Sequence, residues 1–200
     1  MDLFERLEAV RNRWNVLAHP FYTRWERGEL TRGELGFYAG EYRHAVTALA
    51  GAAAGASELT GPDHAAQERA HVALWDQFRA ALGDGGDRPP LPETRACVDA
   101  WTAGADALEA LSVCYAIESG QPEVARTKLD GLVRHYGFDH DSEATAYFRL
   151  HAELDVEHAA EARSLLEAHA RPQDSDRLLA AAGTALEANW RLLDGVLAAA

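Results

Sequence analysis

Two cysteines in 200 residues, Cys97 and Cys114, have no CxxC spacing and no ladder of pairs, so neither a disulfide framework nor a zinc-thiolate site is implied. No apolar run approaches the ~20 residues that span a bilayer. The opening MDLFERLEAVRNRW mixes acids with bases where a signal peptide would show a basic start and then an apolar stretch. These absences predict a cytoplasmic protein with no membrane partner. Lysine is nearly absent, so arginine carries the positive charge and Lys128 is conspicuous. A net charge of −13 argues against nucleic acid as a partner, because phosphate binding needs concentrated Lys and Arg. β-branched alternation is missing too, and with it the signature of strands.

What is present is alanine, leucine and apolar residues recurring at three and four, the pattern of helices throughout. The breaks predict helices over about 2–17, 20–27, 31–56, 64–82, 93–118, 122–137, 141–170 and 172–197. His19-Pro20, Gly28, Gly61-Pro62 and Ser119-Gly120-Gln121-Pro122 mark the boundaries. Thr31 and Glu34 make a capping box. The one evident loop, GDGGDRPPLP from Gly83 to Pro92, is too short to link domains, so residues 1–200 read as a single all-α domain.

The stretch YFRLHAELDVEH from Tyr147 to His158 carries chemistry. His151, Asp155 and His158 stand at i, i+4 and i+7, which on a helix fall at about 0°, 40° and −20°. Two imidazoles and one carboxylate on one stripe match a non-haem iron site with open positions. Glu153, Glu157 and Glu161 follow a different, solvated face. His64, Glu68 and His71 repeat the i, i+4, i+7 spacing, and Glu118 closes the apolar run LSVCYAI where a carboxylate can bridge two metals. Taken singly, each has a plain alternative: a hydrogen-bonded core histidine, a helix-terminal acid, a Glu68 paired with Arg69. Seven ligand-type residues in three segments, facing one another across a bundle, point instead to a metal centre.

These motifs resemble the haem-oxygenase-like di-iron oxidases, and within them the para-aminobenzoate synthase branch that contains the Chlamydia death-domain-associating protein. The resemblance runs through HPFYTRW, GELTRGELGFYAGEYRH, HVALWDQFRAALG, YAIESGQPEVARTKLDGLVRHYGF, YFRLHAELDVEH and NWRLLDGV. It implies a TenA/PqqC-like bundle of seven to eight helices around two iron ions cycling between Fe(II) and Fe(III), with manganese admissible at one position and O2 as co-substrate. By motif position the ligands are His71, Glu118, His151, Asp155 and His158, with Glu118 bridging. The family's glutamate seven residues before the first histidine is His64 here, whereas other branches place one where Glu68 stands, so the sixth ligand is His64 or Glu68.

In that branch the enzyme consumes its own tyrosine as the ring source and a lysine as nitrogen donor, and the matching positions are Tyr22 and Lys128. Tyr38 and Tyr147 match tyrosines near the metals. The plain alternative makes these tyrosines packed core and Lys128 a surface residue. The substrate is then either the protein's own tyrosine or a small molecule, and a homodimer follows family habit. Competing classes are a metal-free thiaminase-like hydrolase or PqqC-like cofactorless oxidase recruiting Cys114, and a non-enzymatic interaction protein. Haem is disfavoured, since it wants one axial histidine over a flat apolar slot.

Overall fold

The computed structural model describes residues 2–83, 86 and 88–199. It is all-α: among the described residues there is no strand. The helices are α1 (Leu3–Arg13), α2 (Pro20–Glu26), α3 (Arg32–Gly55), the single turn α4 (Ser57–Thr60), α5 (Pro62–Leu82), α6 (Pro92–Thr102), α7 (Ala107–Glu118), α8 (Gln121–His135), α9 (Ala146–His169) and α10 (Ser175–Ala199).

Local chemistry sets most boundaries. Capping boxes open α1 (Asp2 with Glu5) and α3 (Thr31 with Glu34), each satisfying two backbone donors that the first turn leaves free. Gly61 at φ 76° followed by Pro62 starts α5, and Gly83 at φ 81° ends it in the left-handed conformation that glycine reaches without a Cβ penalty.

Three expected spans differ. The first helix stops at Arg13 rather than near residue 17, because the Asn15 side chain accepts from the Leu17 amide and starts a separate 3-10 turn, Val16–Ala18. The span 93–118 breaks at 103–106, where the Asp106 carboxylate caps α7 on the Glu109 amide. At Gly104 a Cβ would stand 2.8 Å from the Ala110 nitrogen, so the chain turns tightly there. The span 141–170 begins at Ala146, because Asp139 and Thr145 hold 139–145 in turns. Asp84, Gly85 and Asp87 of the expected loop lie outside the described residues.

The long α3 packs against α5, α6 and α7; α9 packs against α7 and α8; α10 closes the bundle over α6 and α7. One aromatic core, including Phe21, Trp25, Tyr38, Trp75, Phe78 and Phe148, fills the space between them. Gly131 lets α8 approach this core, since a Cβ there would fall 2.7 Å from the Trp25 ring. Trp25 Nε1 in turn donates to the Lys128 carbonyl at 3.1 Å, which fixes the helical turn that carries Lys128.

Candidate metal centre

Three helices supply the ligand-type residues: α5 gives His64, Glu68 and His71, α7 gives Glu118, and α9 gives His151, Asp155 and His158. The i, i+4, i+7 spacing turns each set inward, whereas Glu153, Glu157 and Glu161 are exposed as expected. All seven inward residues are nearly buried, from Glu118 and His151 at 0% exposure to His64 at 9%. Polar groups so deeply placed need partners.

Some find them. His64 Nε2 lies 2.8 Å from Glu118 Oε1, and His158 Nε2 lies 3.0 Å from Gln67 Oε1. Asp155 is turned onto His151, with its oxygens 3.0 and 2.9 Å from Nδ1. That contact makes Nδ1 the protonated nitrogen and leaves Nε2 as the lone-pair donor, the arrangement by which a carboxylate orients a metal-binding imidazole. Asp155 thus contacts His151, and its Oδ1 also lies 3.8 Å from His158 Nδ1.

Others find none. Within the cluster six buried atoms lack a hydrogen-bond partner: Glu68 Oε1 and Oε2, His71 Nδ1, Glu118 Oε2, His151 Nε2 and His158 Nδ1. His71 Nδ1 is 3.1 Å from Glu68 Oε1 but not aligned as a hydrogen bond. Leaving a buried polar group unpaired costs ~1–3 kcal/mol, and more if charged. A cluster of such groups on three helices is accounted for by a cation that takes their lone pairs.

The donors fall into two sets. His64, Glu68, Glu118 and His158 place ligand atoms within 4.8 Å of one another, as do Glu68, His71 and His151. Glu68 belongs to both. Mixed imidazole and carboxylate donors suit Fe(II) or Mn(II) better than the soft sites of thiolate metals. Both positions left open for the sixth ligand, His64 and Glu68, thus point into the cluster.

The electrostatics fit a site awaiting positive charge. Burial pushes the Glu118 carboxyl up to about 7, offset in part by His64. Burial works against the Glu68 anion as well, but contact with His71 and the nearby imidazoles holds its pKa below the usual value. Burial alone would lower His151, yet the Asp155 bond and charge more than offset it. His158, by contrast, is lowered by burial and by the neighbouring His64.

A second cluster stands behind the first. Lys128, the only lysine in the chain, is 3% exposed, so it is not a surface residue. Its Nζ donates to the Tyr38 hydroxyl at 2.8 Å and stands 4.6 Å from the centre of the Tyr22 ring. Tyr22 and Tyr38 share a hydroxyl contact of 2.8 Å. Burial lowers the Lys128 pKa well below its usual value and raises both tyrosines well above theirs, which favours a neutral amine among neutral phenols.

Tyr147 joins the two clusters, with its ring 4.1 Å from His151 and 4.8 Å from Trp75. Trp75, Tyr42 and Gln67 were not singled out from sequence. Trp75 falls four residues after His71 and so continues the inward stripe of α5, the signal that marks it. Tyr42, four residues after Tyr38 on α3, carries the same signal, whereas Gln67 leaves no such trace.

Comparison with known proteins gives concordant findings. The sequence profile of a family described as iron-containing redox enzyme matches residues 58–190. The chain is 31% identical to a 4-aminobenzoate synthase of Chlamydia muridarum (strain MoPn / Nigg), covering 98% of this chain and 91% of that one. It is 28% identical to a 4-aminobenzoate synthase of Nitrosomonas europaea, over 96% and 89%. Among solved structures, a TenA homolog from Pseudomonas syringae pv. tomato superposes with a TM-score of 0.79 at 18% identity, over 98% of this chain and 91% of that one. A domain with a heme oxygenase-like fold from Shewanella denitrificans gives 0.78 at 20%, over 99% and 93%. At such identities the structures speak for the fold alone.

Proposed function

This chain belongs to the family of iron-containing redox enzymes with a haem-oxygenase-like fold, and from that premise we propose that it is a dinuclear, O2-dependent para-aminobenzoate synthase that consumes its own Tyr22. The observation that carries the reading is the Lys128 amine, buried without an acid and 4.6 Å from the Tyr22 ring centre. A neutral amine is a nucleophile, whereas an ammonium is not. The nitrogen and the ring of the product then come from side chains that already touch.

One cation would be held by His64, Glu68, Glu118 and His158 and the other by Glu68, His71 and His151, so that Glu68, rather than the Glu118 expected from the resemblance, would be the carboxylate common to both, with Asp155 orienting His151. Iron would fill both positions, with manganese admissible at one. When bound, the metals supply the electrons that activate O2. The chain's own residues do the rest. Tyr38 holds the Tyr22 hydroxyl and the Lys128 amine through one oxygen, and the aromatic core keeps water from both.

The metal-free reading finds less support. Cys114 is 0% exposed, and burial together with the Glu118 and Glu68 charges raises its thiol well above the usual range, the reverse of an activated nucleophile. The test is intact-mass analysis and peptide mapping after anaerobic Fe(II) loading and exposure to O2. The reading expects a loss confined to Tyr22 and Lys128. An unmodified chain that turns over an added substrate would replace it with ordinary catalysis.

A further inference from the structure

Away from the imidazoles, a cavity of about 70 Å³ opens between the end of α1, the turn joining α7 to α8, and α10. Arg11 stands with exposed residues at its mouth, Trp14, Ile117 and Leu186 form apolar walls, and the deeply buried Gln121 and Asn189 lie at its floor. Both amides, each 7% exposed, lie near enough to the Tyr42 hydroxyl to work against the rise that burial imposes on its pKa. Asn189 Oδ1 has no partner. Behind this floor the Tyr42 ring stacks on Tyr38 at 5.2 Å and lies 4.8 Å from Lys128 Nζ. The amide floor and the Tyr42 ring thus stand between the cavity and the cluster in which the aromatic amine is proposed to form.

The polar groups define what fits. A buried carbonyl oxygen without a donor calls for an N–H or O–H at the floor. At the mouth, Arg11 gives Nη1 to the Ser119 carbonyl and Nη2 to Glu8, and its buried Nε has no partner. With both Nη groups engaged, Nε is the cationic donor left for an acceptor such as a ligand carboxylate oxygen. The walls suit a ring. A dry cavity that admits benzene measures ~150 Å³, so this one encloses about half a ring and leaves the other end at the mouth.

We propose that the cavity binds a small aromatic carboxylate with an amino group at the far end of its ring, 4-aminobenzoate or a near analogue. The amine points to Asn189 and the carboxylate to Arg11. The site serves as the release pocket for product leaving the Tyr22 and Lys128 cluster, with Tyr42 as the partition. The assignment of the ligand rests on the synthase reading above.

Ile117 is the only isoleucine in the chain and lines the cavity, so isoleucine-methyl labelling gives a single NMR resonance at the site. In metal-free protein that resonance should shift saturably with 4-aminobenzoate, and at least ~10-fold more weakly in affinity with benzoate or aniline, a difference of ~1.4 kcal/mol. Asn189→Leu and Arg11→Met should each weaken binding by a similar factor. If Asn189→Leu fails to fold, Val16→Trp fills the mouth and should abolish the shift. A resonance unmoved by 4-aminobenzoate, or moved equally in these variants, overturns the proposal. The synthase reading fails separately: an intact Tyr22 after iron and O2 would sink it while leaving this binding result standing.

Discussion

If Glu68 is shared by two cation positions, its isosteric replacement Glu68→Gln should halve the stabilisation that metal confers. A ligand that binds only the folded state adds RT ln(1 + [L]/Kd), or ~2.7 kcal/mol per site at a hundredfold excess over Kd. Two sites give ~5.4 kcal/mol, and at ~2–4 °C per kcal/mol for a domain of this size the wild-type Tm should rise by ~11–22 °C. The variant keeps His64, Glu118 and His158 in one set but only His71 and His151 in the other. Its stoichiometry should fall from two to one, and its Tm rise should not exceed ~5–11 °C. Anaerobic scanning calorimetry with and without Fe(II), paired with elemental analysis, reads both quantities. A variant that still binds two ions with the full thermal shift would refute the shared-carboxylate argument.

Other outcomes follow from the same geometry. Asp155→Asn removes the charge that orients His151, so metal affinity should drop ~10–100-fold while the helical circular-dichroism signal stays intact; unchanged affinity in a metal titration would contradict its orienting role. Lys128 has a folded-state pKa below its unfolded one, so the unfolded chain binds the extra proton and stability falls as pH drops from ~10.4 toward the folded value. Lys128→Met should therefore be more stable than wild type in urea at pH 7, with the gain shrinking toward pH 10; a constant difference across that range would show the amine is not neutral. Gly131→Ala should cost ~1–3 kcal/mol by driving a methyl into Trp25, against the small gain usual for Gly→Ala in a helix, and thermal melts decide the sign.

The sequence made some of this legible and concealed the rest for identifiable reasons. Spacing within one helix carries its own geometry, which is why residue numbers alone put His151, Asp155 and His158, or His64 and His71, on a common face. Spacing between helices does not. The membership of Glu68 in both donor sets depends on how α5 crosses α7 and α9. The turning of Asp155 onto His151 is a rotamer choice, invisible to periodicity. The break at 103–106 hid in alanine-rich sequence on either side, although Asp106 with Glu109 carried a capping signal. Lys128 was conspicuous by rarity, but its burial among Tyr22, Tyr38 and Tyr42 follows from the close approach that Gly131 permits.

With one lysine in the chain, isotope labelling isolates a single nitrogen. Protein carrying ε-¹⁵N-lysine, loaded with Fe(II) and exposed to O2, should release para-aminobenzoate that is one mass unit heavier, in an amount no greater than one per chain. Unlabelled para-aminobenzoate, or multiple turnovers with Lys128 and Tyr22 intact, would contradict the account at its root.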